Sequence, residues 1–318
     1  MRVAIVGAGA IGGFIGAALA RAGEDVTFVA RGEHLHAMRE RGTLRVAASD
    51  TGPFEVEARA FSSLDEAPQA DALLLTFKSH QWGGVLASIE RALQRGAFVV
   101  TLQNGIPFWY DSDRALESVD PGGTIRAAIP DERIVGGIVH ASGHVVEPGI
   151  IHQSGGMLYP LGELDGTTTE RVTHLSRMFE AAGLQAPVEP VIRRNIWRKV
   201  MNNAALNPVS ALTRSSIHPL LADSRIRELL KRLIEESIAV AKASGVDPQA
   251  DAEERLRWAG HLADVKTSML QDLEAGKQLE LEPIDGAVVE LAERYGVDVP
   301  ALKTIYALTK LLERTVSA

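Results

Sequence analysis

The run Gly7-Ala8-Gly9-Ala10-Ile11-Gly12 constrains this chain more than any other segment, because its surroundings are as specific as its spacing. Arg2 to Val6 is a short apolar run that predicts a strand. From about Ile11 to Arg21 the pattern turns helical and closes at Gly23. Strand, tight turn and helix start are the context in which a G-x-G-x-x-G run cradles a dinucleotide. Gly7 permits the turn, Gly9 lets the backbone approach a pyrophosphate, and Gly12 allows close packing of helix on strand. The first helical residues, Ala10 and Ile11, bring N–H donors and the positive end of the helix dipole.

The same stretch, residues 3 to 20, is an uncharged run of roughly membrane-spanning length. Its five glycines and the absence of a basic region before it argue against both a span and a secretory signal. With 318 residues the chain has room for two domains. A net charge of -8 disfavours nucleic acid and anionic membrane as main partners. The lack of any cysteine removes disulfides, thiol nucleophiles and thiolate zinc sites, and fits a cytoplasmic protein.

"DVTFVAR" predicts a second strand, and its end is informative. An NAD-type site places an acid there to accept from the ribose 2′-hydroxyl. This chain has Arg31, then Gly32, with no acid before Glu33. A guanidinium fork suits a 2′-phosphate, which favours NADP(H); the alternative is a solvated arginine at a strand end. "ALLLTFK" (72–78) and "AFVVTLQNG" (97–105) read as buried parallel strands ending at Lys78 and Asn104. Ligands of open parallel sheets sit beyond such carboxyl ends. Lys78 therefore fits a phosphate contact, or equally a solvated side chain ahead of a helix capped by Ser79. Asn104-Gly105 fits a site residue or a simple turn.

Residues 134–161 alternate short β-rich pieces with glycine turns, predicting an antiparallel extension of the sheet. His140, His144 and His152 fall here without metal-ligand spacing and read as strand-paired or surface residues; no metal is expected. A helix over about Thr168–Ala182 and a strand near "APVEPVI" complete the first domain, at residues 1–190. Beyond, the period is helical almost throughout 191–318, including one helix over "PQADAEERLRWAGHLA" (248–263).

Within "WRKVMNNAALNPVSALT" (197–213), Lys199, Asn203 and Asn207 recur every four residues, a polar stripe along one side of a largely apolar helix. "KTSMLQDLEAGKQLELEPIDG" holds Ser268 with Gln271 three residues later, which reads as a capping box or as a hydroxyl kept for other work. Glu280, Glu282 and Pro283 suit the start of the next helix, where acids favour the dipole and proline the first turn.

"GAGAIGG", "VARG", "TFKSHQ", "LQNG", "EPG" and the two C-terminal stretches just quoted, in that order over nearly the whole chain, resemble the ketopantoate reductases (2-dehydropantoate 2-reductases). The resemblance implies an N-terminal Rossmann domain, an all-helical C-terminal domain and a cleft between them. It implies NADPH-dependent reduction of a small 2-oxoacid, ketopantoate first, within pantothenate biosynthesis. By it Lys199 matches the catalytic lysine and Glu280 its acidic partner. Asn203, Asn207 and Ser268 match substrate contacts, Asn104 the asparagine where nicotinamide and substrate meet, and Arg31 with Lys78 the pair that favours a 2′-phosphate. Other branched oxoacids, and a non-catalytic NADP(H) sensor on the same scaffold, are the alternatives. The chain departs from the compact pattern at "IPFWYDSDRALESVDPGG" (106–123), whose Trp109 and Tyr110 either cap a loop core or shape a pocket near the cleft mouth. The helical domain leaves a homodimer open.

Overall fold

The computed structural model describes residues 1–48, 52–261 and 264–316. The chain divides into two compact units, Met1–Gln103 with Thr124–Ile192, and Asn104–Gly123 with Arg193–Ala318.

The first unit is built around a seven-stranded sheet. Its strands are β1 (Arg2–Val6), β2 (Asp25–Val29), β5 (Ala60–Phe61), β6 (Ala72–Leu75), β7 (Phe98–Thr101), β8 (Ile134–Gly137) and β11 (Leu161–Glu163). They run in the order β11-β8-β7-β6-β1-β2-β5, all pairs parallel except β8–β11. β1, β6 and β7 sit inside the sheet, and their side chains are buried on both faces except at Arg2.

A second sheet holds β3 (Thr43–Ala48), β4 (Gly52–Glu57), β9 (His140–Glu147) and β10 (Ile150–Leu158), in the order β4-β3-β10-β9. Most of the glycine-punctuated region therefore does not extend the main sheet as the sequence suggested. β9 and β10 make a hairpin that joins β10 parallel to β3, and only β11 adds an antiparallel edge. The strand expected near "APVEPVI" amounts to two isolated bridges, Leu158–Gln185 and Leu161–Val188. Local alternation reports that a strand exists but not which sheet receives it.

Helix α1 (Ala10–Arg21) explains the long uncharged run. A Cβ on Gly16 would strike Phe28 and Ile5 of the main sheet, whereas one on Gly13 would meet Ile151 and Leu44 of the second. The helix lies between two sheets, is buried on nearly every side, and so is apolar all round without crossing a membrane. Among the described residues no helix is long and apolar enough to do so. Helices α2 (Gly32–Arg41), α3 (Leu86–Gln94), α4 (Thr124–Ala128) and α5 (Glu170–Ala181) complete the unit, with Thr169 capping α5 through a bond from Val172 N–H.

The second unit is helical: α6 (Ile192–Thr213), α7 (Ile217–Ala222), α8 (Ser224–Ala243), α9 (Ala252–Gly260), α10 (Ser268–Glu274), α11 (Ala287–Arg294) and α12 (Pro300–Val316). Of the helix expected over 248–263, α9 forms the middle, capped by Asp251, and residues 262–263 lie outside the described residues. α6 continues through Pro208.

Candidate active site

In the first unit, Gly7 stands at φ +100°, and a Cβ there would lie 2.6 Å from the Phe77 nitrogen, so only glycine fits the turn. Both Gly7 and Ala8 donate to the Val29 carbonyl at 3.0 Å, fastening the turn to β2. The Thr76 hydroxyl faces the Gly7 carbonyl at 2.9 Å and occupies the space a Cβ on Gly12 would need. Gly9 is exposed, and a Cβ on it would meet nothing within 4 Å. It caps α1 with no side-chain bond, and the first turn, with Ala10 and Ile11 partly exposed, holds no acid. A pyrophosphate fits this cradle: the backbone is bare, no side chain caps the helix, and its first turn carries no carboxylate.

Arg31 is exposed at the N-cap of α2. Lys78 is half-buried and lies three residues past the end of β6, which stops at Leu75. It, rather than Ser79, takes the N-cap position of a short 3₁₀ helix over Ser79–Gly84, with no side-chain cap. Gln103 Nε2 donates to the Phe77 carbonyl at 3.2 Å, tying the "LQNG" end to the neighbouring strand end. The "EPG" turn is fastened to α2, since Gly149 N–H donates to His34 Nδ1 at 3.1 Å and Arg41 donates to the Pro148 carbonyl at 3.1 Å. Burial pushes the His34 imidazole below its ordinary value, with the Ala8 backbone acting the other way. His144 and His152 are cross-strand partners with ring centroids 5.1 Å apart. Among the described residues no cluster of three metal-ligating side chains occurs.

In the second unit, the polar stripe lies on α6 among buried Val200, Ala204, Ala205 and Leu206. Desolvation lowers Lys199 to about 8, partly opposed by the nearby charge of Glu280. The side chain as a whole keeps some solvent contact, so the desolvation acts on its ammonium end. One turn on, Asn203 Nδ2 donates to Asn104 Oδ1 at 3.0 Å. Asn207 is buried, and its Nδ2 has no hydrogen-bond partner among the described residues. A buried amide donor without an acceptor is costly unless something arrives to accept from it.

Two acids compete for the lysine in the sequence, and their contacts separate them. Glu282 accepts from Tyr306 Oη at 3.0 Å and from Lys310 Nζ at 2.5 Å, and so is committed to α12. Glu280 is the one whose charge reaches Lys199. It precedes a π-helical turn over Glu282–Gly286 rather than opening an ordinary helix. The capping box expected at Ser268 is displaced by one residue: the Thr267 hydroxyl accepts from Leu270 N–H at 3.3 Å, and Gln271 bonds the Lys266 carbonyl. Ser268 is exposed and takes no part in the cap.

The excursion after Asn104 belongs to the helical unit. Trp109 is 1% exposed and Tyr110 4%, so both rings cap a loop core. Tyr110 Oη accepts from Trp197 Nε1 at 2.5 Å and bonds Ser244 at 2.8 Å, and Arg193 donates to the Tyr110 carbonyl. Asp111 and Arg294 form a largely buried pair at 2.6 Å. Burial pushes the Asp111 carboxyl up, but Arg294 and two backbone donors outweigh it and hold it below its ordinary value.

Sequence reasoning passed over Thr76, whose signal was a polar residue closing the apolar run "ALLLTF". Pro283 read only as a first-turn proline, and nothing in the sequence signalled its contact with Gly105.

Two family models match the chain: ketopantoate reductase PanE/ApbA over residues 3–166, and ketopantoate reductase PanE/ApbA C terminal over residues 191–313. A 2-dehydropantoate 2-reductase of Mesorhizobium japonicum is 37% identical over 320 residues, with 98% of each chain covered. One of Halobacterium salinarum is 31% identical, with 99% of each covered. A crystal structure of 2-dehydropantoate 2-reductase from Methylococcus capsulatus matches with a TM-score of 0.86 at 29% identity, over 100% of this chain and 98% of that one.

Proposed function

The chain belongs to the ketopantoate reductase family, oxidoreductases acting on a CH–OH group, and from that premise we propose that it reduces ketopantoate to pantoate with NADPH. When bound, NADPH supplies a hydride to the carbonyl carbon of the 2-oxoacid. Negative charge then develops on the carbonyl oxygen, and the chain must hold a proton donor there. Lys199 is that donor. An ammonium lowered to about 8 is still mostly protonated at neutral pH, yet gives up its proton more readily than an exposed lysine. Glu280 keeps it from falling further and orients it. Asn207 presents its unpartnered Nδ2 to a substrate oxygen, and Asn203, held by Asn104, keeps the substrate in reacting geometry. Ser268, with a hydroxyl free of capping duty, is a contact for the substrate carboxylate. The backbone of Gly7, Gly9, Ala10, Ile11 and Gly12 holds the pyrophosphate, and Arg31 with Lys78 holds the 2′-phosphate.

The single observation that carries this reading is the desolvated lysine beside Glu280, on the same helical stripe as an unsatisfied amide donor. The test is loss of NADPH absorbance with ketopantoate, set against NADH and a panel of other 2-oxoacids. NADPH-selective turnover of ketopantoate is the expected result. Turnover of a different branched oxoacid would keep the machinery and change the substrate. NADPH binding without turnover of any oxoacid would leave a sensor.

A further inference from the structure

Residues 104–106 touch both segments that carry the Lys199–Glu280 pair. On one side, Asn104 Oδ1 accepts from Asn203, one helical turn beyond Lys199. On the other, Ile106 N–H donates to the Pro283 carbonyl at 2.7 Å, three residues beyond Glu280. Between them Gly105 stands at φ +90°, and a Cβ there would come within 2.6 Å of the Pro283 carbonyl carbon and 2.7 Å of its Cβ. Two backbones meet there with no room for a methyl group, against a proline whose own φ is fixed by its ring. The turn carrying Pro283 is also held through Glu282, which accepts from Tyr306 and Lys310 of α12. Glu280 is thus followed by a turn held at two points, one of which connects through Asn104 to the lysine's helix.

The geometry points to Asn104–Gly105–Ile106 as a strut that fixes the separation of the Lys199 ammonium from the Glu280 carboxylate, with Gly105 as its positioning residue. This rests on the reading of Lys199 as proton donor only for its catalytic consequence. The electrostatic consequence stands alone. Lys199 is poised by two opposed effects, burial and the pull of Glu280, and the second falls off with distance. Moving the Glu280 turn outward lets burial dominate.

The test reads the lysine directly, by nuclear magnetic resonance of isotope-labelled dimethyl-lysines in the free full-length protein, with the Lys199 signal assigned from K199R. Gly105→Ala lowers the Lys199 titration by at least about half a pH unit, and the alkaline limb of kcat/KM moves down with it. Glu280→Gln lowers it at least as far, and Gly105→Ala added to Glu280→Gln brings no further shift, because the strut acts through that carboxylate. Asn104→Ala, which releases Asn203 but leaves the backbone contact, shifts it in the same direction and by less. It serves as the test if Gly105→Ala does not fold. A Lys199 titration unmoved in the folded variants, or a Gly105→Ala shift that persists in full without Glu280, overturns the strut. An active Lys199→Ala enzyme with the expected titration shifts would instead remove the proton-donor role and leave the strut standing.

Discussion

At the scale of single residues, the proposed chemistry rests on one desolvated ammonium. Desolvation brings Lys199 to about 8, and the proton-donor role requires its charged form. The reductive kcat/KM is therefore flat below that pH and falls about tenfold per unit above it. A pH series of initial rates checks this. Lys199→Ala lowers kcat by about 10²–10⁴ while the protein stays folded; a variant within tenfold of wild type would contradict the role. Arg31 is exposed, and in the proposed reading it contacts only the 2′-phosphate, so Arg31→Ala raises KM for NADPH by about tenfold or more and leaves KM for NADH nearly unchanged. An equal rise for both cofactors would assign Arg31 a general rather than a selective part. The cradle glycines, the lysine and the amides were legible as residues, because turn geometry and four-residue spacing are local properties. The choice of Glu280 over Glu282 came from the family resemblance and not from local pattern, since two acids so close in sequence diverge only once α12 supplies Tyr306 and Lys310 to claim one of them.

At the scale of elements, the excursion from Asn104 to Gly123 is where local pattern stopped and packing took over. Its aromatic residues looked equally suited to a loop core or to a pocket. Trp197 Nε1 and Ser244 hydrogen-bond the Tyr110 hydroxyl, Arg193 lies 5.4 Å from the Trp109 ring centroid, and Glu290 accepts from Ser118, which together pin the loop to the helices. Asp111→Ala leaves Arg294 with Glu290 and the carbonyls of Arg114 and Ala115, so it costs about 1–3 kcal/mol in urea denaturation. Because folding lowers the Asp111 carboxyl, the stability it lends is present above the ordinary carboxylate range and is lost as pH falls through its lowered value. The second sheet shows the same limit differently. Its strands were visible as β-rich pieces, but pairing of β10 with β3 joins residues about a hundred positions apart, a choice no local pattern encodes.

At the scale of the whole molecule, two buried groups oppose folding in their charged forms. Lys199 keeps a folded value of about 8 against an ordinary 10.5. Its protonation is therefore a penalty below pH 8, and the penalty is relieved as pH rises through the window between those values. Asp285 runs the other way: burial, then the charge of Glu282, hold its carboxyl well above the ordinary 3.8, and neither oxygen has a partner among the described residues. The unfolded chain releases that proton first, so Asp285 costs stability as pH climbs above the ordinary value. The loss is about 1.4 kcal/mol for each pH unit climbed until the folded carboxyl also ionises. Lys199→Met accordingly stabilises the fold at pH 7 by on the order of 3 kcal/mol and loses its advantage toward the alkaline end. Asp285→Asn flattens the decline that accompanies rising pH. Urea titrations across the pH range separate the two slopes, and an Asp285→Asn curve parallel to wild type would show that this carboxyl does not titrate between the states.

Local pattern was enough to read the glycine turn between β1 and α1, the change from a β/α to a helical period, the polar stripe on α6 and the ordered motifs of the family. Each follows from the bonds and spacings of neighbouring residues. Long-range packing settled that β9 and β10 build a second sheet over α1, that residues 104–123 pack with the helices, and that Thr267 rather than Ser268 caps α10. Packing also brought Pro283 against Gly105. Those outcomes depend on which distant surfaces exclude water from one another, and burial is a property of the assembled chain.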